Sequence, residues 1–371
     1  MWVGFGGYLA VLAGVPSFGR RAIWGPISLL VLGFALAPPL LSHDVYSYLD
    51  YARLGVVHGL DPYVHPPSAA PADPAFAKVE WTGTTSAYGP LFTLATYPLA
   101  LLRVGAAVAA LKALAAASVL GLAALVARLA PARGIDRFQA AAFVALNPLV
   151  LVHVVGGAHN DGLAILLAAL GVAAILASRE AAGGAAFVAA LAIKAPAAVA
   201  APFALLGARN DPNAPPAGRK RPYAGRNRPI GGGFWFLIGA ALALAAIGLV
   251  AEAVFGWHWL SAFGLVGEQS RTSHLSVPMT VARLTGLDSG VVRIAALTLY
   301  AALVVHLLAW TWRGGDWLRA AAWASFGLLI ATAWLLPWYL IWALPLAALS
   351  RDRLLQLLLL ALTAFQLGAR L

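Results

Sequence analysis

Apolar stretches long enough to cross a lipid bilayer recur along the whole chain, separated by short polar segments. A helix needs about 20 predominantly apolar residues to span the hydrocarbon core of a membrane. The chain is 61% hydrophobic and only 11% charged, whereas soluble domains carry roughly 25% charged residues. Because a water-soluble fold could not bury this much apolar surface, the pattern predicts one all-α, polytopic transmembrane domain over residues 1–371. The apolar stretches predict roughly 9–11 membrane elements, several of them re-entrant or broken helices.

The net charge of +11 could indicate a nucleic-acid partner, but its distribution does not. The basic residues lie in short loops between apolar stretches, which is typical of the cytoplasmic loops of membrane proteins. The sequence contains no cysteine, which excludes disulfides, thiolate metal ligands and a cysteine nucleophile. We therefore expect a plasma-membrane protein whose partners are membrane lipids and not nucleic acid.

The loops differ in charge, and this predicts their sides of the membrane. Residues 42–88 hold five acids but only two bases, Arg53 and Lys78, and loops poor in Lys and Arg favour the extracytoplasmic side. Residues 208–232 are strongly basic and are predicted to form a cytoplasmic loop. Residues 256–289 are predicted to form a second extracytoplasmic loop. Since most acids of this carboxylate-poor chain fall on the outer side, we expect the functional site there.

Asp44 is the strongest candidate for a catalytic residue. It follows an apolar stretch almost at once, and a carboxylate at the membrane boundary is partly desolvated, which raises its pKa and makes it a better proton acceptor. Such a group could remove the proton from a sugar hydroxyl as a general base. From its position alone, a structural role of Asp44 as the N-cap of a juxtamembrane helix is as well supported as the catalytic role.

A second polar cluster, residues 156–161, follows another apolar stretch and contains His159, Asn160 and Asp161. These side chains could bind sugar hydroxyls or a phosphate. The alternative is a helix N-cap, although a cap needs only one of the three.

Lys194 lies within an apolar segment beside Pro196. A charged side chain at membrane depth is costly and is by default a functional hypothesis, so it could pair with a lipid phosphate; the alternative is snorkelling to the interface. Arg271 and His274, in the second extracytoplasmic loop, are further candidates for phosphate binding. The break at Pro196 predicts two short helices on either side of Lys194.

The sequence contains no P-loop, dinucleotide-binding fingerprint or nucleophile elbow. A glycosyl transfer by this chain would therefore have to use a donor that the membrane carries. The histidines show no metal-ligand spacing, so we predict no metal-binding residues and no required cofactor. The sequence does not decide whether the activity depends on a divalent metal ion. The aromatic residues of the first outer loop could stack on sugar rings or form an interfacial belt.

Several ordered blocks resemble one known family, the actinobacterial polyprenyl-phosphate-mannose-dependent α-1,6-mannosyltransferases of the GT-C superfamily. They span positions 43 to 345 and are His43-Asp44-Val45-Tyr46-Ser47-Tyr48, Gly59-Leu60-Asp61-Pro62-Tyr63, Tyr88-Gly89-Pro90-Leu91, Asn147-Pro148-Leu149, Gly157-Ala158-His159-Asn160-Asp161, Lys194-Ala195-Pro196, Pro337-Trp338-Tyr339, Trp342 and Leu344-Pro345. Each block alone is weak, but the ordered set is fairly specific for the superfamily.

The resemblance implies a GT-C-like fold whose first outer loop carries the catalytic acid, here Asp44. It implies an inverting transfer from a polyprenyl-phosphate sugar to a glycolipid or polysaccharide acceptor of the cell envelope. Lys194, Arg271, His159 and His274 would then bind the donor phosphate. The sugar or acceptor would contact His43, Tyr46, Asn160, Asp161, Tyr88, Trp338 and Tyr339.

Two other functions remain open from the sequence. A lipid-linked sugar flippase or transporter would also need many spans and buried charges, but it would place its site near the membrane midplane, whereas the long acidic segment 42–88 favours an enzyme. A non-catalytic scaffold would tolerate replacement of Asp44, His159 and Lys194.

Overall fold

The computed structural model describes residues 1–14, 19–209, 231–267 and 273–368. Within these residues all regular structure is helical. The α-helices are α1 (Trp2–Gly14), α2 (Arg20–Leu36), α3 (Asp44–Val56), α4 (Pro90–Thr96), α5 (Val104–Leu129), α6 (Arg137–Ala145), α7 (Asp161–Leu176), α8 (Glu180–Leu191), α9 (Ala201–Arg209), α10 (Gly232–Phe255), α11 (Ser261–Gly267), α12 (Val277–Thr285), α13 (Ser289–Trp312), α14 (Trp317–Ala331), α15 (Leu344–Leu349) and α16 (Arg353–Gly368).

Three helical stretches in this part of the chain are long and apolar enough to cross a membrane: Val104–Arg133, Gly232–Gly264 and Ser289–Trp312. The other apolar helices are 10–17 residues long, below the roughly 20 residues of an ordinary span. Along α10 and α13 many large apolar side chains are exposed, as expected of surfaces that face lipid. The chain is thus an all-helical membrane protein, and the number of crossings stays a prediction.

The predicted break beside Lys194 is present. Helix α8 ends at Leu191, a 3-10 segment covers Ala195–Ala200, and α9 follows directly. Pro196 lies in the first turn of the 3-10 segment, where its missing N–H leaves no hydrogen bond unmade. The backbone of Lys194 is extended, so its side chain leaves the chain between two helices and not from a helix face. A second interruption is the π-helix Val150–Val155 before His159.

Segment 42–88 folds into an ordered unit around α3. The Asp73 carboxylate accepts hydrogen bonds from Arg53 Nε at 2.8 Å and pairs with His58 Nε2 at 2.7 Å. The Tyr51 hydroxyl donates to the carbonyl of Thr84 at 2.7 Å. These contacts tie the later part of the segment back to the second half of α3 and the residues that follow it.

Helix α8, which ends just before Lys194, packs against both α7 and α10. A Cβ at Gly239 of α10 would lie 1.9 Å from the carbonyl oxygen of Ala181 in α8. Only glycine allows this close approach, which is a common form of helix packing in membranes. The contact anchors α8, and therefore the break at Lys194, on a long apolar helix.

Candidate active site

Asp44 stands in the first turn of α3, where the helix dipole favours a negative charge. Its carboxylate does not cap the helix, because the N-cap residue is His43 and no side chain caps it. The carboxylate is directed at two other segments. Trp81 Nε1 donates to Asp44 Oδ1 at 3.2 Å, and His159 Nδ1 lies 3.5 Å from Asp44 Oδ2. The N-cap alternative for Asp44 is therefore not the one that the structure adopts.

Burial raises the pKa of the Asp44 carboxyl, and the negative charges of Asp161 and Glu80 add to this. The positive charge of Lys194 and the hydrogen bond from Trp81 act in the opposite direction. The side chain is still 15% exposed, so a substrate hydroxyl can reach it. The result is an accessible carboxylate with an increased affinity for a proton, which suits a general base.

His159 is fully buried and stacks on Trp338, with ring centroids 3.7 Å apart and an interplanar angle of 17°. Burial, then the charge of Lys194, lowers the pKa of the imidazole well below its usual range. Its ring nitrogens make no hydrogen bond in the described part of the chain. His159 is therefore a neutral group packed against the face of Asp44 and not a charged partner for it.

Lys194 and Asp161 form the second half of the cluster. Lys194 Nζ donates to Asp161 Oδ2 at 2.6 Å, and Trp342 Nε1 donates to Asp161 Oδ1 at 2.6 Å. Asn160 Oδ1 lies 3.5 Å from the same ammonium, and the Tyr339 ring lies 5.4 Å away. The Asp161 side chain is completely buried, whereas that of Lys194 is 17% exposed. Both Asp161 oxygens are occupied, but the ammonium retains an open side for an anion.

The aromatic residues after Leu336 line this cluster. Tyr339 stacks on Trp342, with centroids 4.0 Å apart and an interplanar angle of 22°, and Trp338 stacks on His159. Trp338, Tyr339 and Trp342 belong to the 3-10 segment Pro337–Trp342, whose three-residue turn places Tyr339 and Trp342 on the same side. The structure thus brings these predicted residues together with Asp44, His159 and Lys194.

The other predicted residues lie around the cluster or apart from it. His43 is exposed and pairs with Glu80 at 2.9 Å, and the Tyr46 ring lies 5.1 Å from Lys78 Nζ. Tyr88 meets Tyr48 edge to face at 4.8 Å, and burial, followed by the charge of Asp44, raises the pKa of Tyr88. His274 is exposed just before α12, and its contact is a backbone one to Thr280. Arg271 lies outside the described residues.

Two tryptophans that the sequence did not place in the site take part in it, and a third residue that it missed, Lys112, lies outside the cluster. Trp81 and Trp342 hold the two carboxylates of the cluster, and no local pattern separates them from interfacial tryptophans. Lys112, discussed below, interrupts an apolar stretch, which is a signal for function. In the described part of the chain, no three His, Asp or Glu side chains meet closely enough to hold a metal ion.

Comparison with known proteins places the chain in a family. Residues 1–209 match the family described as alpha-(1→6)-mannopyranosyltransferase, N-terminal domain. The chain is 31% identical over 383 aligned residues to alpha-(1→6)-mannopyranosyltransferase A of Mycobacterium tuberculosis, covering 94% of this chain and 70% of that protein. It is 30% identical over 269 residues to alpha-(1→6)-mannopyranosyltransferase A of Corynebacterium glutamicum, covering 68% of this chain and 52% of that protein.

No solved structure matches the chain. The family match covers more than half of the sequence, and the mycobacterial relative aligns with nearly all of it. The resemblance drawn from the ordered blocks is thereby confirmed at the level of the family. The chain belongs to the alpha-(1→6)-mannopyranosyltransferase family and is a mannosyltransferase.

Proposed function

We propose that the chain transfers a mannosyl residue from a polyprenyl-phosphate carrier to a glycolipid or polysaccharide acceptor on the outer face of the plasma membrane. The observation that supports this most is the pairing of two unlike groups in one partly exposed cluster. Asp44 is a carboxylate with a raised pKa, and Lys194 is a cation close enough to influence that pKa. A base and a phosphate partner are the two groups that this transfer needs.

In the proposed reaction, Asp44 accepts the proton of the acceptor hydroxyl as its oxygen attacks the anomeric carbon. The bond between that carbon and the phosphate oxygen breaks, and polyprenyl phosphate leaves with the bonding electrons. Negative charge grows on the bridging oxygen, where the Lys194 ammonium stabilises it. One carboxylate is enough for such an inverting displacement, since a double displacement needs a second group as nucleophile.

The stereochemistry follows from a single displacement. An α-linked product formed with inversion requires a β-linked mannosyl phosphate as donor. Tyr339 is partly exposed beside the cluster and offers an aromatic surface to a sugar ring, while Asn160 offers an amide for a hydroxyl. We assign the donor sugar to this aromatic side and the acceptor hydroxyl to the side of Asp44.

A lipid donor agrees with the surroundings of Lys194. Lys194 lies between two short helices whose residues nearest to it are apolar, and an apolar 3-10 segment, Ala195–Ala200, follows it directly. A phosphate held there would have its prenyl chain beside apolar helices, where binding of the chain supplies orientation as well as affinity. A flippase is less favoured, because the similar proteins are named as transferases.

The test is donor selectivity. Purified protein is incubated with polyprenyl-phosphate β-mannose, or with a nucleotide-activated mannose, and with mannosylated lipid acceptors. We expect a new glycosidic bond only with the lipid donor, and none in a matched Asp44→Asn preparation that excludes a contaminating enzyme. Transfer from the nucleotide sugar would overturn the donor assignment. Movement of the lipid donor across vesicles without any transfer would support the flippase.

A further inference from the structure

Lys112 is a buried cation in the middle of α5, the first of the long apolar helices. Its side chain is 3% exposed. Among the described residues, no carboxylate lies within ion-pair distance of it. A charge at this depth is expensive unless it is paired or hydrogen-bonded. The residue therefore calls for a function other than an ion pair.

The ammonium of Lys112 donates to two backbone carbonyls from different segments. Nζ lies 2.8 Å from the oxygen of Gly156 and 3.3 Å from that of Pro38. Pro38 stands just beyond the end of α2, and Gly156 ends the π-helix Val150–Val155. Carbonyls near the C-terminal ends of helices carry partial negative charge, so the two helix ends together stabilise the lysine.

Both carbonyls belong to the chain segments that deliver the site residues. The Pro38 segment leads to Asp44, and the Gly156 segment leads to His159. The two segments also bond to each other, because Leu40 N donates to the same Gly156 oxygen at 3.1 Å. A Cβ at Gly156 would lie 3.0 Å from Leu40 Cδ1 and 2.2 Å from the carbonyl oxygen of Val152. The backbone of the π-helix itself therefore requires glycine at position 156, and the Leu40 side chain packs against that glycine across the crossing.

Each of these segments contains a strained residue between the crossing and the site. Leu41 has φ of 56° and Ala158 has φ of 57°, in the left-handed region that residues with a Cβ rarely adopt. Such conformations persist only where the surrounding structure imposes them, and they concentrate at functional sites. Leu41 and Ala158 each lie within three positions of a carbonyl that Lys112 binds.

We propose that Lys112 is a positioning residue that fixes the segment leading to Asp44 against the turn leading to His159. This proposal rests on the proposed function, in which Asp44 is the general base. After burial, the groups that act most on the pKa of Asp44 are Lys194, Trp81, Asp161 and Glu80. The effect of Lys112 is geometric: it sets the contact between Asp44 and His159 and leaves the phosphate partner Lys194 in place.

The kinetic test uses Lys112→Met, with Arg128→Met as a matched control in an exposed position near the end of the same helix. A displaced base lowers turnover, and a misplacement of about 1 Å can cost on the order of a hundredfold. For Lys112→Met we expect kcat to fall about tenfold to a hundredfold with the KM for the lipid donor nearly unchanged. Lys112→Arg, which can still donate to both carbonyls, should recover most of the activity, and Arg128→Met should match the wild type.

A second readout is independent of turnover, so it separates failure of this inference from failure of the proposed function. The chain has no cysteine, so spin labels can be placed at His43→Cys and Leu101→Cys, which are both exposed. The distance distribution between them should broaden in Lys112→Met and stay narrow in Lys112→Arg. If Lys112→Met does not accumulate in the membrane, Lys112→Gln takes its place, with the same expectation.

The inference is overturned if the Met or Gln variant keeps the wild-type kcat, or if its distance distribution is unchanged. It is also overturned if kcat and donor affinity fall together, since this would show a general loss of structure. If the wild type transfers no mannose while the labels respond as expected, the proposed function fails and the positioning of Asp44 by Lys112 stands.

Discussion

The ion pair of Lys194 and Asp161 allows the structural and catalytic roles of the lysine to be separated. Asp161 is completely buried, and its carboxylate is held by Lys194 on one oxygen and Trp342 on the other. Removing one partner of a buried pair typically costs about 3–5 kcal/mol, because the remaining charge stays buried without compensation. We therefore expect Lys194→Met alone to lower the free energy of unfolding by about that amount.

The double variant Lys194→Met/Asp161→Asn should behave differently. The asparagine amide is neutral, and its oxygen can still accept the hydrogen bond from Trp342. Because no charge is left buried, we expect the double variant to recover most of the stability that Lys194→Met loses. Unfolding in mixed detergent micelles, followed for the wild type, both single variants and the double variant, measures this recovery.

Donor binding should not recover. A hydrogen bond to a charged group contributes about 1.5–3 kcal/mol, and about 1.4 kcal/mol corresponds to a factor of ten in affinity. If Lys194 binds the donor phosphate, the KM for the polyprenyl-phosphate donor should rise about ten- to hundredfold in the double variant. A double variant with both wild-type stability and wild-type KM would refute the role of Lys194 in donor binding and leave it a structural one.

Three further outcomes are expected. Trp81→Phe removes a hydrogen bond that lowers the pKa of Asp44, so the acidic limb of kcat/KM should move to higher pH; an unmoved limb would show that Asp44 is not the titrating base. Burial raises the pKa of Asp50 from 3.8 to about 7, so this group costs stability as the pH rises through that window. Above pH 7, Asp50→Asn should therefore have a higher melting temperature than the wild type, and this difference should vanish as the pH falls towards 3.8. An equal difference in melting temperature at both pH values would contradict the titration of Asp50. A membrane-impermeant thiol reagent added outside cells should label Ala87→Cys and not Arg313→Cys, since Arg313 follows α13 at the end that we expect to be cytoplasmic; the reverse labelling pattern would contradict this topology.

The sequence predicted the class of the fold and the interruption beside Lys194 because these depend on local properties, but it did not predict the π-helix Val150–Val155. Hydropathy identifies helices that must lie in a membrane, and Pro196 marks the break after Lys194 through its missing N–H. The number of crossings could not be derived in the same way. Most apolar helices here are shorter than a span, and such elements depend on their neighbours to satisfy their backbone groups.

The charged residues of the candidate site could be predicted from the sequence, but the two tryptophans that hydrogen-bond to its carboxylates could not. Asp44 and Lys194 stand out because carboxylates and ammonium groups are rare and costly beside lipid. The hydrogen bonds of Trp81 and Trp342 connect residues 37 and 181 positions apart, and no sequence pattern encodes contacts at that separation. The predicted sugar ligand Asp161 has both oxygens occupied, so we assign it the positioning of Lys194 instead.

The most direct test of the account is the rate of the chemical step in Asp44→Asn. Single-turnover transfer is measured with the lipid donor already bound, and Asp61→Asn serves as the matched control. Asp61 lies in the same segment, but its carboxylate contacts Tyr63 N and His258. General base catalysis contributes roughly 10²–10⁴-fold, so we expect Asp44→Asn to slow transfer at least about a hundredfold while Asp61→Asn stays near the wild-type rate. A correctly inserted Asp44→Asn protein that transfers mannose at the wild-type rate would contradict the proposed mechanism.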